Sequence, residues 1–232
     1  MTPEARLAAA RLTTALLTAG VVGGSLITAV SLTLALVRPG FDLSRHANSM
    51  LVLGDWGWIQ TVNFIVCGLL LIGFGAGIWR VASEAWSGRV AAICVALYGL
   101  LAGVVVGLSP TDPGFGFPPG APQGYPGVEG LSASAKIHGA AGGLGFLAVT
   151  IGCFALARYF ARLGDRAWTG LSAVVGAAVL SVGAYMGLNA GARSGPFNYV
   201  PTWVGGAALW LFIVAVAVRL LRSHRDAHVG TE

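Results

Sequence analysis

Few side chains in this 232-residue chain are equipped for chemistry, because only 10% of its residues are charged. Those that are gather in two stretches. The first, RPGFDLSRHANSMLVLGDWGW over residues 38–58, holds Asp42, Ser44, Arg45, His46, Asn48 and Asp55. On a short helix Asp42 and His46 would share a face at i,i+4 spacing. The second stretch runs from TDP at 111–113 to KIH at 136–138 and carries Asp112 near its start and His138 at its end. A carboxylate and an imidazole are a common means of moving a proton, and an unperturbed histidine titrates near neutrality. Asp112 and His138 are therefore the candidate acid–base pair, with Arg45 placed to hold a phosphate or carboxylate head group. Gln60 and Asn63 follow, and with Trp56 and Cys67 they form a stripe at helical spacing. Arg45, His46, Trp56, Gln60 and Asn63 are the candidate ligand-binding residues.

Several chemistries lack their residues. There is no GxSxG elbow and no HExxH pair. His46, His138 and two aspartates at unpatterned spacing do not make a zinc site, so no metal is expected. Cys67, Cys94 and Cys153 follow no metal motif and read as small apolar core residues. No residue pattern names a cofactor.

The elements that must position these residues are apolar helices. The chain is 56% hydrophobic, whereas soluble domains carry about 25% charged residues, so composition alone places it in a membrane. Six stretches reach the ~20 residues a spanning helix needs: 12–37, 57–79, 90–108, 138–160, 167–188 and 202–221. Their apolar character runs all round, which a barrel strand does not allow. The fold expected is all-α, a six-helix transmembrane bundle forming a single domain over 1–232. The first stretch exceeds the 7–15 apolar residues of a signal peptide and reads as a retained helix, with frayed tails at 1–10 and 223–232.

Charge orients the bundle. With both termini cytoplasmic, ten of the 14 basic residues lie inside, and Arg38, Arg45, Lys136 and Arg193 lie outside. The basic excess is thus an orientation signal, and a nucleic-acid partner is not expected. The cytoplasmic loops are short. The outer ones are long and carry the polar residues above, which puts any site at the outer face.

Glycines recur at four-residue spacing, the longest run being Gly99/Gly103/Gly107, with Gly20/Gly24, Gly73/Gly77, Gly139/Gly143 and Gly183/Gly187 beside it. Small residues let helix backbones approach in lipid, so these mark packed helix faces, and the longest run marks an inner helix. Trp86 and Trp168, in the similar SEAWSG and DRAWTG segments, read as anchors at the cytoplasmic interface.

The long outer loop between helices 3 and 4 is the least ordinary segment. GLSPTDPGFGFPPGAPQGYPGVEG, 107–130, holds six of the ten prolines of the chain. Proline fixes φ near −65° and glycine permits turns that other residues resist, so the segment takes a defined path without helix or strand. Phe115, Phe117 and Tyr125 are placed to pack it onto the bundle rim as a lid or plug.

LGDWGWIQTVNFIVCGLLL (53–71), TDPGFGFPPGAP (111–122) and KIHGAAGGLGF (136–146) resemble domain-of-unknown-function family 998, polytopic bacterial membrane proteins. The resemblance runs from about Asp42 to the last helix, with the proline loop as its most specific feature, and 187–203 departs from the family pattern. It implies the six-helix topology, a bacterial cytoplasmic-membrane location, and a histidine and an aspartate at the positions of His138 and Asp112. It implies no reaction.

Three functions fit these residues. One is an outward-facing polar pocket that binds a lipid or small amphipathic molecule and could act on it by acid–base chemistry. Gln60 and Asn63 would line it, because amides roughly 9 Å down a helix face protein or a cavity rather than lipid. The second is a structural or accessory membrane protein, in which the same residues form a hydrogen-bonded cap. The third is a transporter, which the lack of midplane charge disfavours. Pairing Asp112 with His138 at the membrane edge would offset the cost of desolvating either.

Overall fold

The computed structural model describes residues 2–189 and 197–229. Helix α1 spans Pro3–Val37, α2 Gly57–Ala82, α3 Trp86–Leu108, α4 Ala133–Arg162, α5 Arg166–Leu188 and α6 Val200–Val229. All six are long and apolar enough to cross a membrane, and the described residues contain no strand. The chain is a multi-pass, all-helical membrane protein, and an even number of crossings returns both termini to one face.

Several helices begin earlier than their apolar runs. Thr2 caps α1 by accepting the Ala5 N–H, and Pro3 sits where a missing N–H costs nothing, so the helix covers residues expected to fray. Ser132 caps α4 through the Ala135 N–H, so that helix starts five residues before its apolar stretch. Asp165 caps α5 through the Trp168 N–H.

The helices pack in a ring: α2 on α1 and α3, α3 on α4, α4 on α5, α5 on α6, and α6 back on α1. The closest approach is the expected glycine groove of α3. A Cβ at Gly103 would sit 2.5 Å from the Gly68 Cα, and one at Gly99 2.6 Å from the Gly68 carbonyl oxygen. Here α3 widens into a π-helical stretch, Gly99–Val105. Gly20 abuts the Phe74 ring and Gly77 the α1 backbone at Leu17. Gly139, Gly143, Gly183 and Gly187 correct the expectation: nothing lies within 4 Å of a Cβ there, because they occupy outward-facing positions of α4 and α5. Of the two tryptophan anchors, Trp86 is exposed and Trp168 packs on Phe160. Cys67, Cys94 and Cys153 are buried free thiols.

Candidate functional site: the cap opposite the termini

The cap is built from the α1–α2 and α3–α4 connections and the residues just before α6, Phe197–Tyr199, which meet over the helix ends on the face opposite the termini. The α1–α2 connection leaves α1 through Arg38, Pro39 and Gly40, and turns twice before a 3₁₀ turn at Asn48–Val52. The short helix expected at Asp42–His46 is instead a single turn, closed by the His46 N–H donating to the Asp42 carbonyl at 2.9 Å. Two glycines of LGDWG are sterically required. Gly54 has φ +73°, and a Cβ at Gly57 would lie 1.9 Å from the Val52 carbonyl oxygen.

The proline-rich connection is an ordered plug. Gly114 and Phe117 exchange backbone hydrogen bonds, Phe115 donates to Gly124, and Gly116 to Pro122. This turns the Phe117 ring, 0% exposed, and the Phe115 ring, 5% exposed, into the bundle rim. Phe115 takes φ +55°, a left-handed conformation costing roughly 1–3 kcal/mol in a non-glycine residue unless neighbours hold it. Tyr125 stacks on it at 5.4 Å, and the Tyr125 and Thr111 hydroxyls lie 2.7 Å apart. Phe197 and Tyr199, before α6, complete this aromatic cluster.

His46 is the junction. Its imidazole is 2% exposed and lies beside the Phe41 and Phe117 rings, at centroid distances of 5.1 and 5.3 Å. Nδ1 accepts the Asp42 N–H at 2.8 Å, so the ring proton belongs to Nε2, which donates to the Phe115 carbonyl at 3.0 Å. The His46 carbonyl accepts the Trp203 indole N–H at 2.9 Å, and the Ser44 carbonyl accepts the Tyr199 N–H at 2.8 Å. Burial pushes the imidazole below its ordinary pKa, against the opposing pull of the Phe115 hydrogen bond. Asp42 is held below the usual carboxylate range by the Ser44 hydroxyl and N–H.

Arg45, Gln60 and Asn63 are engaged as well. Arg45 reaches across the surface to the Gln123 side chain at 3.1 Å. Gln60 donates to the Ser31 hydroxyl at 2.9 Å and to the Asn48 side chain at 3.2 Å. Asn63 donates to Gln60 at 3.2 Å and accepts from the Cys67 thiol. These bonds join α1, α2 and the 3₁₀ turn across the bundle. Trp56, 57% exposed, stands outside that network.

The two ends of the proline loop do close on each other, through backbone groups. Asp112 accepts the Ser132 N–H at 2.8 Å, Ser134 donates to the Pro110 carbonyl at 2.7 Å, and His138 Nδ1 donates to the Ser109 carbonyl at 2.7 Å. Asp112 and His138 thus tie the start of α4 to the end of α3, each with its own partner. Arg193, counted with the outer charges, lies outside the described residues.

Arg38 is the main residue that sequence reasoning missed. Only 9% exposed, it donates to the Leu51 carbonyl at 2.6 Å and to the Leu53 carbonyl, with its guanidinium 4.8 Å from the Phe117 ring centroid. Burial lowers its pKa and the nearby Asp55 opposes that. Its position at a helix end was visible. Its partners, backbone carbonyls 13 and 15 residues on, carry no side-chain signature.

Among the described residues no three His, Cys, Asp or Glu side chains gather as metal ligands. Two cavities inside the bundle, with apolar linings, offer about 10 Å³ each, scarcely the space of one water. The model of the family described as "Protein of unknown function (DUF998)" matches residues 21–221, and the chain belongs to that family. No curated protein and no solved structure matches it significantly.

Proposed function

We propose that the protein is a non-catalytic structural or accessory membrane protein whose working part is a rigid, folded cap. The observation that carries this reading is the engagement of the cap's polar groups. His46 uses both ring nitrogens, Arg38 serves two carbonyls, and Gln60 and Asn63 bond to each other and to neighbours. A binding or acid–base site keeps donors or acceptors turned toward a vacancy that its ligand fills. Here Asp112 and His138 fasten a helix start to the preceding helix end.

In this reading the chain works as one domain, with both termini cytoplasmic and the cap outside. Ten of the 14 basic residues on the inner side support that orientation, and the bacterial cytoplasmic membrane fits it. Reporter fusions at Gly120 and Thr231 should report opposite compartments, Gly120 outside.

Lipid extraction and mass spectrometry of the purified protein test the function. Bulk membrane lipids in non-stoichiometric amounts are expected. One amphipathic molecule retained at one copy per chain, and lost on Asp112→Asn or His138→Ala substitution, would replace this reading with a binding site.

A further inference from the structure

We infer that His46 makes the cap a pH-sensitive latch, closed while the imidazole is neutral and released when it gains a second proton. The inference rests on the cap reading above and adds a regulation to it. The geometry admits one charge state. Nδ1 accepts the Asp42 N–H at 2.8 Å, so a proton on Nδ1 would set two N–H groups against each other. Nε2 already donates to the Phe115 carbonyl, and the ring lies between two phenylalanines at 2% exposure, with no room to turn. A cation there loses a hydrogen bond and its hydration together.

The ring cannot move alone. Its Nε2 bond holds the carbonyl of Phe115, the residue with φ +55° at the tip of the plug. Its own carbonyl holds Trp203 of α6, and the Ser44 carbonyl two residues earlier holds the Tyr199 N–H. Displacing His46 therefore frees the plug, the α1–α2 connection and the start of α6 at one point.

The charged neighbours can be weighed. Within its own connection, the Asp42 carboxylate favours the protonated ring and Arg45 opposes it. Arg38 lies across Phe117 and has Asp55 beside it. The plug contributes Tyr125 behind Phe115, and the segment before α6 contributes Tyr199, so neither offers a carboxylate to the ring. Trp203 of α6 is uncharged. Asp42 is the counter-ion within reach, and its Oδ1 already accepts from the Ser44 hydroxyl and N–H.

The sign follows from linkage. In the open form His46 titrates at its ordinary value of 6.5, and in the closed form lower. Between those values the open form binds more protons, so closure is complete above 6.5 and weakens as pH falls through the window. Asp42 acts at lower pH, below its ordinary 3.8.

The test is hydrogen exchange of the full-length protein in lipid nanodiscs, corrected for intrinsic rates, at the amides of Phe115, Gly116 and Phe117. Between pH 7.5 and 5.0 their protection should fall once pH drops below the ordinary 6.5, by at most roughly tenfold per pH unit. The Lys136 amide at the start of α4 should hold its protection. In His46→Gln, neutral throughout, protection should not change with pH, whatever its level. If that variant fails to fold, the wild-type profile decides. Constant protection from 7.5 to 5.0, or the same fall in His46→Gln, refutes the latch. Amides unprotected already at pH 7.5 refute the cap itself, so the two failures are distinguishable.

Discussion

The two faces of the bundle handle polarity in opposite ways. At the face of the termini, the two connections are three residues long each and charges stay near solvent. The ion pair Arg219–Asp165, at 3.2 Å, is partly exposed on both sides. Arg80 donates to the Thr13 hydroxyl at 2.7 Å. At the cap, charge and amide are buried: Arg38, His46, Gln60 and Asn63 are each at most 9% exposed, and each is bonded to protein. The contrast shows that a polar residue near a membrane edge can be architectural. A long loop rich in proline and glycine has few backbone hydrogen bonds of its own, so side chains from other segments supply what fixes it.

Substitutions can break that contrast, and the largest effect should come from neither face. Gly103→Leu would drive a branched side chain into the α2 backbone at Gly68, where even a Cβ lies 2.5 Å away. A loss of about 3 kcal/mol or more is expected, read as failure to yield folded protein. If it melts like the parent, the α2–α3 contact is misplaced.

At the cap, Arg38→Ala leaves two buried carbonyls without a donor and should cost roughly 3 kcal/mol in thermal unfolding. Arg38→Lys should recover only part of it, since an ammonium lacks the planar fork that serves both carbonyls. Full rescue by lysine would show that charge alone matters there. Gln60→Leu removes the centre of the network joining α1, α2 and the 3₁₀ turn, and should cost about 1–2 kcal/mol at ~0.6 kcal/mol per intramembrane bond. Arg219→Gln, at the opposite face, should shift stability by less than about 1 kcal/mol. A loss there as large as that of Arg38→Ala would erase the difference between the faces.

The fold was largely legible because lipid imposes simple rules. Six apolar runs, the Gly99/Gly103/Gly107 groove and the packing of Phe115 and Phe117 all followed from residue type and spacing. Helix starts were less so: apolar runs mark where lipid begins, whereas Thr2 and Ser132 mark where hydrogen bonding begins. Gly139 and Gly183 show the limit of the small-residue rule, since spacing does not say which side of a helix meets another. In the candidate site, the approach of the Gln60–Asn63–Cys67 stripe to protein partners was readable from helical period and depth. The bonds of Arg38, His46, Asp112 and His138 were not. Their partners are mostly backbone groups of other segments, and sequence does not reveal which carbonyl or N–H a fold brings into reach.

The central claim is that the cap is a folded unit at neutral pH. Its most direct test is amide exchange across residues 109–132 at pH 7.5 in lipid. The plug amides of Phe115, Gly116 and Phe117 should exchange far more slowly than an unstructured chain, and Arg38→Ala should release them together. Exchange at the rate of an unstructured chain in the unmodified protein would contradict the claim.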